Sequence, residues 1–164
     1  SEFYTDGLST LIATMPKRFK GIKTMYERTI RWSRHLEVMR ILKDIGLLGS
    51  DALIKSLGSI LKQGTEDFSL TVIEAKGTIN GEPARITFEG IDHASGDFTS
   101  MARLTGFTAA IVTDLVARGV IKGSGLIPIE ETYIMNKDLL RYILNGLKAE
   151  GVKFMFTKTV TAPY

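Results

Sequence analysis

The chain has no cysteine and only two histidines among its 164 residues. Without thiols there is no disulfide, no thiolate nucleophile and no cysteine-based zinc site. His35 and His93 are the only imidazoles, so a metal site would have to lean on carboxylates, and no spacing suggests one. The lack of cysteine is compatible with a cytoplasmic protein, the localisation expected here. No apolar run approaches the roughly 20 residues that cross a bilayer, and no secretory leader is visible, so no membrane partner is expected. Ser1 reads as a cloning remnant, and the chain is expected to begin in mid-fold. Twenty-one basic against 18 acidic residues leave a net charge of +3, a small excess rather than a basic face, so nucleic acid is not an expected partner. Paired carboxylates of the glycosidase kind, a Ser/His/Asp set and anything suited to phosphoryl transfer are also missing. There is no internal repeat and no low-complexity segment.

What is present fits one globular domain over residues 1–164: the chain is 44% hydrophobic and 24% charged, with no break in composition. Residues 2–15 contain a Thr5-Asp6-Gly7 turn, then a short helix or strand over Leu8–Ile12. Residues 16–23 gather cations around Phe19 in what reads as a solvated loop, with Lys17, Arg18 and Lys20 the residues a nucleic-acid binder would need. Met25–Trp32 reads as a strand. Leu36, Met39 and Leu42 recur at spacings of three, and Val38, Ile41 and Ile45 widen the stripe, which predicts an amphipathic helix over Leu36–Leu48. Ser33 is its expected N-cap, Glu37 and Lys43 oppose the dipole at either end, and Gly46 is the left-handed residue that stops it. Ser50 is expected to cap a second helix over Asp51–Lys62, ended by Gly64.

Asn80-Gly81 separates two extended runs and favours the type I′ turn of a hairpin. With those two residues as the loop, Ile79 faces Glu82, Ala75 faces Ile86 and Ile73 faces Phe88 on an apolar surface. Lys76–Arg85, Glu74–Thr87 and Val72–Glu89 make a mostly polar back. Ile91–Asp97 reads as a polar connection. Thr99 or Ser100 starts a long helix with only three charges over residues 100–118, Arg103, Asp114 and Arg118. Apolar on nearly every side, it is expected to be buried on nearly every side. Gly123–Glu131 reads as a loop around Pro128. Asn136 is expected to cap a last helix with Leu140, Ile143, Leu144 and Leu147 on one face, and residues 152–160 alternate as a final strand.

Thr29-Ile30-Arg31-Trp32-Ser33-Arg34-His35 is a strand turning sharply into a helix, and such corners bind anions. Arg31 is the best candidate for holding a substrate carboxylate, because its planar fork makes two charge-assisted hydrogen bonds; an ion pair with the sheet is its bland alternative. His35, at the helix start, would donate to the same carboxylate or exchange protons with an amine, orientation being favoured because the dipole there disfavours imidazolium. A capping role is the alternative.

These residues carry a resemblance. The run from Thr29 to His35, followed by a helix ending Ile45-Gly46-Leu47-Leu48, resembles the saccharopine dehydrogenase and lysine 6-dehydrogenase family. That family has Thr-Leu-Arg-Tyr-Pro-Gly-His at this point, with Pro-Gly where this chain has Ser33-Arg34. Thr99-Ser100-Met101-Ala102-Arg103-Leu104-Thr105-Gly106-Phe107 is similar to the family's Thr-x-Met-Ala-Arg-Thr-Thr-Gly-aromatic run, and the Thr5-Asp6-Gly7-Leu8 turn and the Gly123–Glu131 loop are similar to its connections.

The resemblance implies an α+β fold: a mixed, mostly antiparallel sheet covered by helices on one face, like the C-terminal domain of glyceraldehyde-3-phosphate dehydrogenase-like oxidoreductases. It implies the substrate-binding and dimerisation half of an NAD(P)-dependent enzyme acting on lysine-type C–N bonds. Arg31, His35, Thr5 and Asp6 would meet the amino-acid substrate, and Met101, Arg103 and Gly106 would meet the nucleotide-binding domain. Such a half would work as a homodimer paired through the sheet, the cofactor, NAD or NADP, being bound by the other domain. A dinucleotide domain needs a glycine-rich turn between strand and helix. Gly119–Gly125 follows a helix instead, so this chain alone is expected to bind no cofactor and to be inactive. The alternative is a non-catalytic dimerisation or ligand-sensing module of the same fold.

Overall fold

The computed structural model describes residues 2–60 and 66–161, the side chains of residues 60 and 133–135 excepted. The fold is α+β. The chain divides into two compact units, residues 1–63 with 128–131, and residues 64–127 with 132–164.

In the first unit, β1 (Glu2–Tyr4) pairs antiparallel with β2 (Arg28–Ile30), Phe3 lying opposite Thr29. The strand expected over Met25–Trp32 is therefore three residues long, because its partner is no longer than that. Helix α1 (Leu11–Arg18) runs through Pro16, where a loop was expected. Pro16 removes one helical hydrogen bond. The turn is held all the same: Phe19 N–H donates to the Met15 carbonyl at 2.8 Å. Thr14 donates to Glu130 at 2.8 Å, and Arg18 pairs with Glu131. Both carboxylates sit in the first turn of α5 (Ile129–Met135), so the loop expected over Gly123–Glu131 already becomes helix after Pro128.

Helix α2 spans His35–Asp44, and a single 3-10 turn over Leu47–Gly49 replaces the rest of the expected helix. Leu36, Met39 and Leu42 are half-buried as the spacing of three requires, but Val38, Ile41 and Ile45 stay exposed. Gly46 is left-handed at φ 73°. Helix α3 (Asp51–Ile60) starts at Ser50, whose Oγ accepts the Leu53 N–H at 3.4 Å. The expected end of this helix, with Lys62 and Gly64, lies outside the described residues.

In the second unit, β3 (Phe68–Ile79) and β4 (Glu82–His93) form the hairpin in the expected register, Ile79 against Glu82 and Ile73 against Phe88. Asn80 and Gly81 both take positive φ, 54° and 88°, as a type I′ turn requires. β5 (Lys153–Val160) pairs antiparallel on the other side of β4, giving the order β3-β4-β5. Every pairing among the described residues is antiparallel, and β2 belongs to a separate two-stranded sheet. The single mixed sheet expected from the sequence is thus two sheets.

Helices α4 (Ser100–Ala117) and α6 (Asp138–Ala149) build the core: Leu115, Leu139, Ile143, Leu147 and Val152 are buried, with Phe107, Ile111 and Phe154 packed against them. Leu139, not the expected Leu140, is the inward residue of α6's first turn. Lys137, not the expected Asn136, is the N-cap and has no side-chain cap; Asn136, one residue earlier, accepts the Asp138 N–H at 3.1 Å. Two glycines permit close packing. A Cβ on Gly90 would lie 3.2 Å from the Phe154 ring, and one on Gly146 would lie 2.6 Å from Ile111. Helix α4 is not buried all round: Met101, Ala102, Thr105, Gly106, Ala109, Ala110, Thr113 and Val116 form an exposed face. Within this unit, α6 and one end of the sheet cover only the opposite side.

Candidate functional site

The first unit builds a corner from β1, β2 and the start of α2. Successive residues of a strand point to opposite faces, so the β1–β2 ribbon has two different sides. On one, Tyr4 and Tyr26 meet edge to face at 5.7 Å, and the Arg28 guanidinium lies 4.8 Å and 5.1 Å from their ring centres. The Tyr4 hydroxyl, and then Glu2, hold the Arg28 guanidinium above its ordinary range, burial opposing. On the other side are Phe3, Thr29, Thr5 and Glu27. Thr5 donates its hydroxyl to Glu27 Oε2, Thr29 lies 3.3 Å from Glu27 Oε1, and the two hydroxyls are 3.3 Å apart. All three residues are half-buried.

Gly7 completes this set. A Cβ there would come within 2.9 Å of the Glu27 carboxyl group, so the Thr5-Asp6-Gly7 turn lets the carboxylate lie against the backbone where any side chain would push it away. Asp6 is exposed, and its carbonyl accepts the Ser9 N–H at 3.1 Å to close the turn.

Arg31 follows β2 directly. It is exposed, and its Nη1 donates to the Ile30 carbonyl at 3.1 Å. Trp32 accepts the His35 N–H at 3.2 Å, turning the chain into α2, and the His35 side chain is exposed at the first helical position. Ser33 is not the N-cap. Arg34 occupies that position with no side-chain cap, in the left-handed conformation at φ 66°. Glu37 in the first turn pairs with Arg34 at 3.1 Å, placing an acid at the positive end of the helix. The corner thus brings Thr5 to Glu27 and Thr29, and brings Arg31 and His35 to the same bend. Glu27 is the member that sequence reasoning missed. It lies one residue before β2, and its spacing of two from Thr29 was the signal available for it.

The second unit holds the other residues singled out. Arg103 is 7% exposed and Asp92 3%. Arg103 Nε lies 3.1 Å from Asp92 Oδ2 and Nη2 lies 3.2 Å from Oδ1, while Nη2 also donates to the Glu150 carbonyl. The guanidinium lies 5.3 Å from the Phe107 ring centre. Asp92, expected in a polar connection, is thus a strand residue of β4, and so is His93, whose ring packs against Phe68 at 5.9 Å. Asp67 accepts the N–H groups of Ser100 and Met101, and Thr99 accepts that of Ala102, so α4 begins fully capped. Met101 and Gly106 lie on the exposed face of α4, whereas Arg103 is spent within its own unit.

Residues 5–152 match the saccharopine dehydrogenase C-terminal domain family. The chain belongs to that family. Saccharopine dehydrogenases are oxidoreductases, and the family is one of NAD(P)-dependent dehydrogenases in general. The match spans both units and includes Thr5, Glu27, Arg31, His35, Asp92 and Arg103.

Within this family domain, no connection from a strand to a helix among the described residues is glycine-rich. The segment after β1 has Gly7, the one after β4 has Gly96, and residues 31–34 have none. These residues do not fit a dinucleotide pyrophosphate, which needs several backbone N–H groups brought close by glycine. Among the described residues there is also no group of three metal-ligating side chains, and no helix is long and apolar enough to cross a membrane. The corner holds a guanidinium, an imidazole at a helix start, and a carboxylate beside two hydroxyls.

Proposed function

We propose that this chain is the substrate-binding and dimerisation half of an NAD(P)-dependent dehydrogenase of the saccharopine dehydrogenase or lysine 6-dehydrogenase type, acting on C–N bonds of lysine-like amino acids. The nicotinamide cofactor is bound by residues outside this chain. The observation that carries the reading is the corner itself, with Arg31 at the exit of β2 and His35 at the first position of α2. A guanidinium at a helix start suits a carboxylate in both charge and direction. His35 adds a donor that orients the same group.

Pairing of two copies is supported by the back of the three-stranded sheet, where Phe68, Leu70, Val72 and Met155 are each about half exposed. Contiguous apolar surface of this kind marks an interaction face. Light scattering on the purified chain should report twice the chain mass at high concentration. A strict monomer would count against pairing.

Calorimetry with L-lysine and saccharopine tests the binding role. Arg31→Ala should weaken binding by about 10-fold or more, as expected for a charge-assisted pair. The chain alone should not turn over NAD(P)H with either compound; measurable turnover would overturn the proposed division of labour.

A further inference from the structure

The chain contains two Asn-Gly pairs, Asn80-Gly81 and Asn145-Gly146. An asparagine followed by glycine is prone to lose its side-chain amide, because no Cβ shields the next backbone nitrogen from the side-chain carbon. Both asparagine side chains are exposed, so access to water does not separate the two pairs. The backbone does. Asn145 and Gly146 lie inside α6, where the Gly146 N–H is tied into the helical ladder. Buried Ile143 and Leu147 flank them, and a Cβ on Gly146 would lie 2.6 Å from Ile111, so the backbone there is pressed against α4. Bringing the Gly146 nitrogen to the Asn145 side chain would undo a turn of α6 and open the core. Asn80 and Gly81 are instead the loop of the hairpin. The β3–β4 ladder closes at Ile79 against Glu82, which leaves the Gly81 N–H outside it. β5 ends opposite Ala84, so only two strands reach the tip, and nothing lies within 4 Å of where a Gly81 Cβ would be. In a type I′ turn the asparagine side chain and the glycine nitrogen face apart, but a local opening of the tip that brings them together disturbs no buried side chain.

We propose that Asn80 is a site of spontaneous deamidation in this protein and that the fold withholds the same reaction from Asn145. The Gly81 nitrogen attacks Asn80 Cγ: the N–Cγ bond forms, the Cγ–Nδ2 bond breaks, and the proton of the Gly81 N–H leaves with Nδ2 as ammonia. Water then opens the resulting cyclic imide. Addition at Cγ gives aspartate, and addition at the main-chain carbonyl gives isoaspartate, whose backbone runs through the side-chain carbon. Nothing is oxidised or reduced, and water is the one reactant consumed. Either product adds one negative charge to a chain of net charge +3. Isoaspartate also inserts a methylene into the loop that sets the register from Ile79–Glu82 to Phe68–His93. The altered chain then becomes a substrate for the class of enzyme that methylates isoaspartyl carboxyl groups. The proposal is independent of what the β1–β2 corner binds.

The test holds the full chain in warm, mildly alkaline buffer, folded or in urea, and digests it with trypsin, which puts the two pairs on separate peptides, residues 77–85 and 142–148. Mass spectrometry follows the conversion of each amide to an acid, and an isoaspartyl carboxyl methyltransferase labels the isoaspartate on the same peptides. In the folded chain Asn80 should convert roughly 10-fold or more faster than Asn145, since opening a hairpin tip costs far less than opening a core helix. In urea both pairs are plain Asn-Gly peptides, and the two rates should converge. Asn80→Gln should remove the acidic species that builds up in the folded wild type on ion exchange. If that species builds up all the same, the charge arises elsewhere and the site is wrong. Equal rates in the folded chain, or an Asn80 that stays intact while the urea-treated chain converts, would end the proposal.

Discussion

Replacing Arg103 with alanine should be the most damaging single truncation in the second unit. The reason is the partner left behind. Asp92 is 3% exposed and two nitrogens of Arg103 satisfy its carboxylate, at 3.1 Å and 3.2 Å. Breaking a buried pair from one side strands a charge and costs about 3–5 kcal/mol. Two smaller losses add to it: the Glu150 carbonyl loses a donor, and the Arg103 guanidinium leaves the Phe107 ring. Set against a total stability of about 5–15 kcal/mol, this is a large share, and at 2–4 °C per kcal/mol for a chain of this size it lowers Tm by roughly 10 °C. Urea denaturation followed by circular dichroism at a helical wavelength is the suitable assay, because the one tryptophan, Trp32, lies in the other unit. Asp92→Leu combined with Arg103→Met should recover most of the loss, since an apolar pair of similar size has no stranded charge. A loss under about 1 kcal/mol for Arg103→Ala, or a double variant as unstable as the single, would refute the argument that the pair is desolvated.

Three further outcomes follow from backbone and side-chain geometry. Arg34→Gly should raise stability by about 1 kcal/mol in thermal melts, because Arg34 holds φ 66° at a strain that glycine does not feel and its ion pair with Glu37 is exposed. Gly81→Ala, at φ 88° in the hairpin turn, should cost about 1 kcal/mol or more, read from the denaturation midpoint. Burial pushes the Glu130 carboxyl up, but hydrogen bonds from Thr10, its own backbone and Thr14 outweigh that and leave it below its ordinary range. A carboxyl lowered on folding stabilises the protein above its unfolded pKa, about 4.3, and loses that contribution as pH falls through the folded value. Glu130→Gln should therefore flatten the acid limb of a stability-against-pH curve, with no effect on that curve's slope near neutrality.

Much of the fold could be read locally. Asn80-Gly81 set a twelve-residue hairpin register because both turn residues need positive φ and few other dipeptides accept it. Gly46, Ser50, Thr99 and Asn136 mark helix ends through groups only a few residues away. What failed depended on partners distant in sequence. Three-residue β1 limits β2, and carboxylates 116 and 113 positions away hold α1 through Pro16. Asp92 looked like a loop residue because polarity shows in a sequence and a buried counter-ion does not. The family's Pro-Gly at Ser33-Arg34 was the clue to a left-handed corner, and Arg34 adopts it without being glycine. Arg31, His35, Thr5 and Asp6 were chosen from residue type and position. Glu27 was passed over because its environment is made by Gly7 and two hydroxyls, which no single-residue signal reports.

The central place of β4 has a kinetic consequence. Its pairing with β3 closes through a two-residue loop and is available within microseconds. Its pairing with β5 must wait for the chain to return across α4 and α6, a slow long-range closure. During that interval the β4 edge, with Ile86 and Phe88 along it, stands open as a template for any neighbouring chain. Substitutions that delay the docking of α6 will therefore appear first as insoluble material during expression, before equilibrium unfolding registers any change.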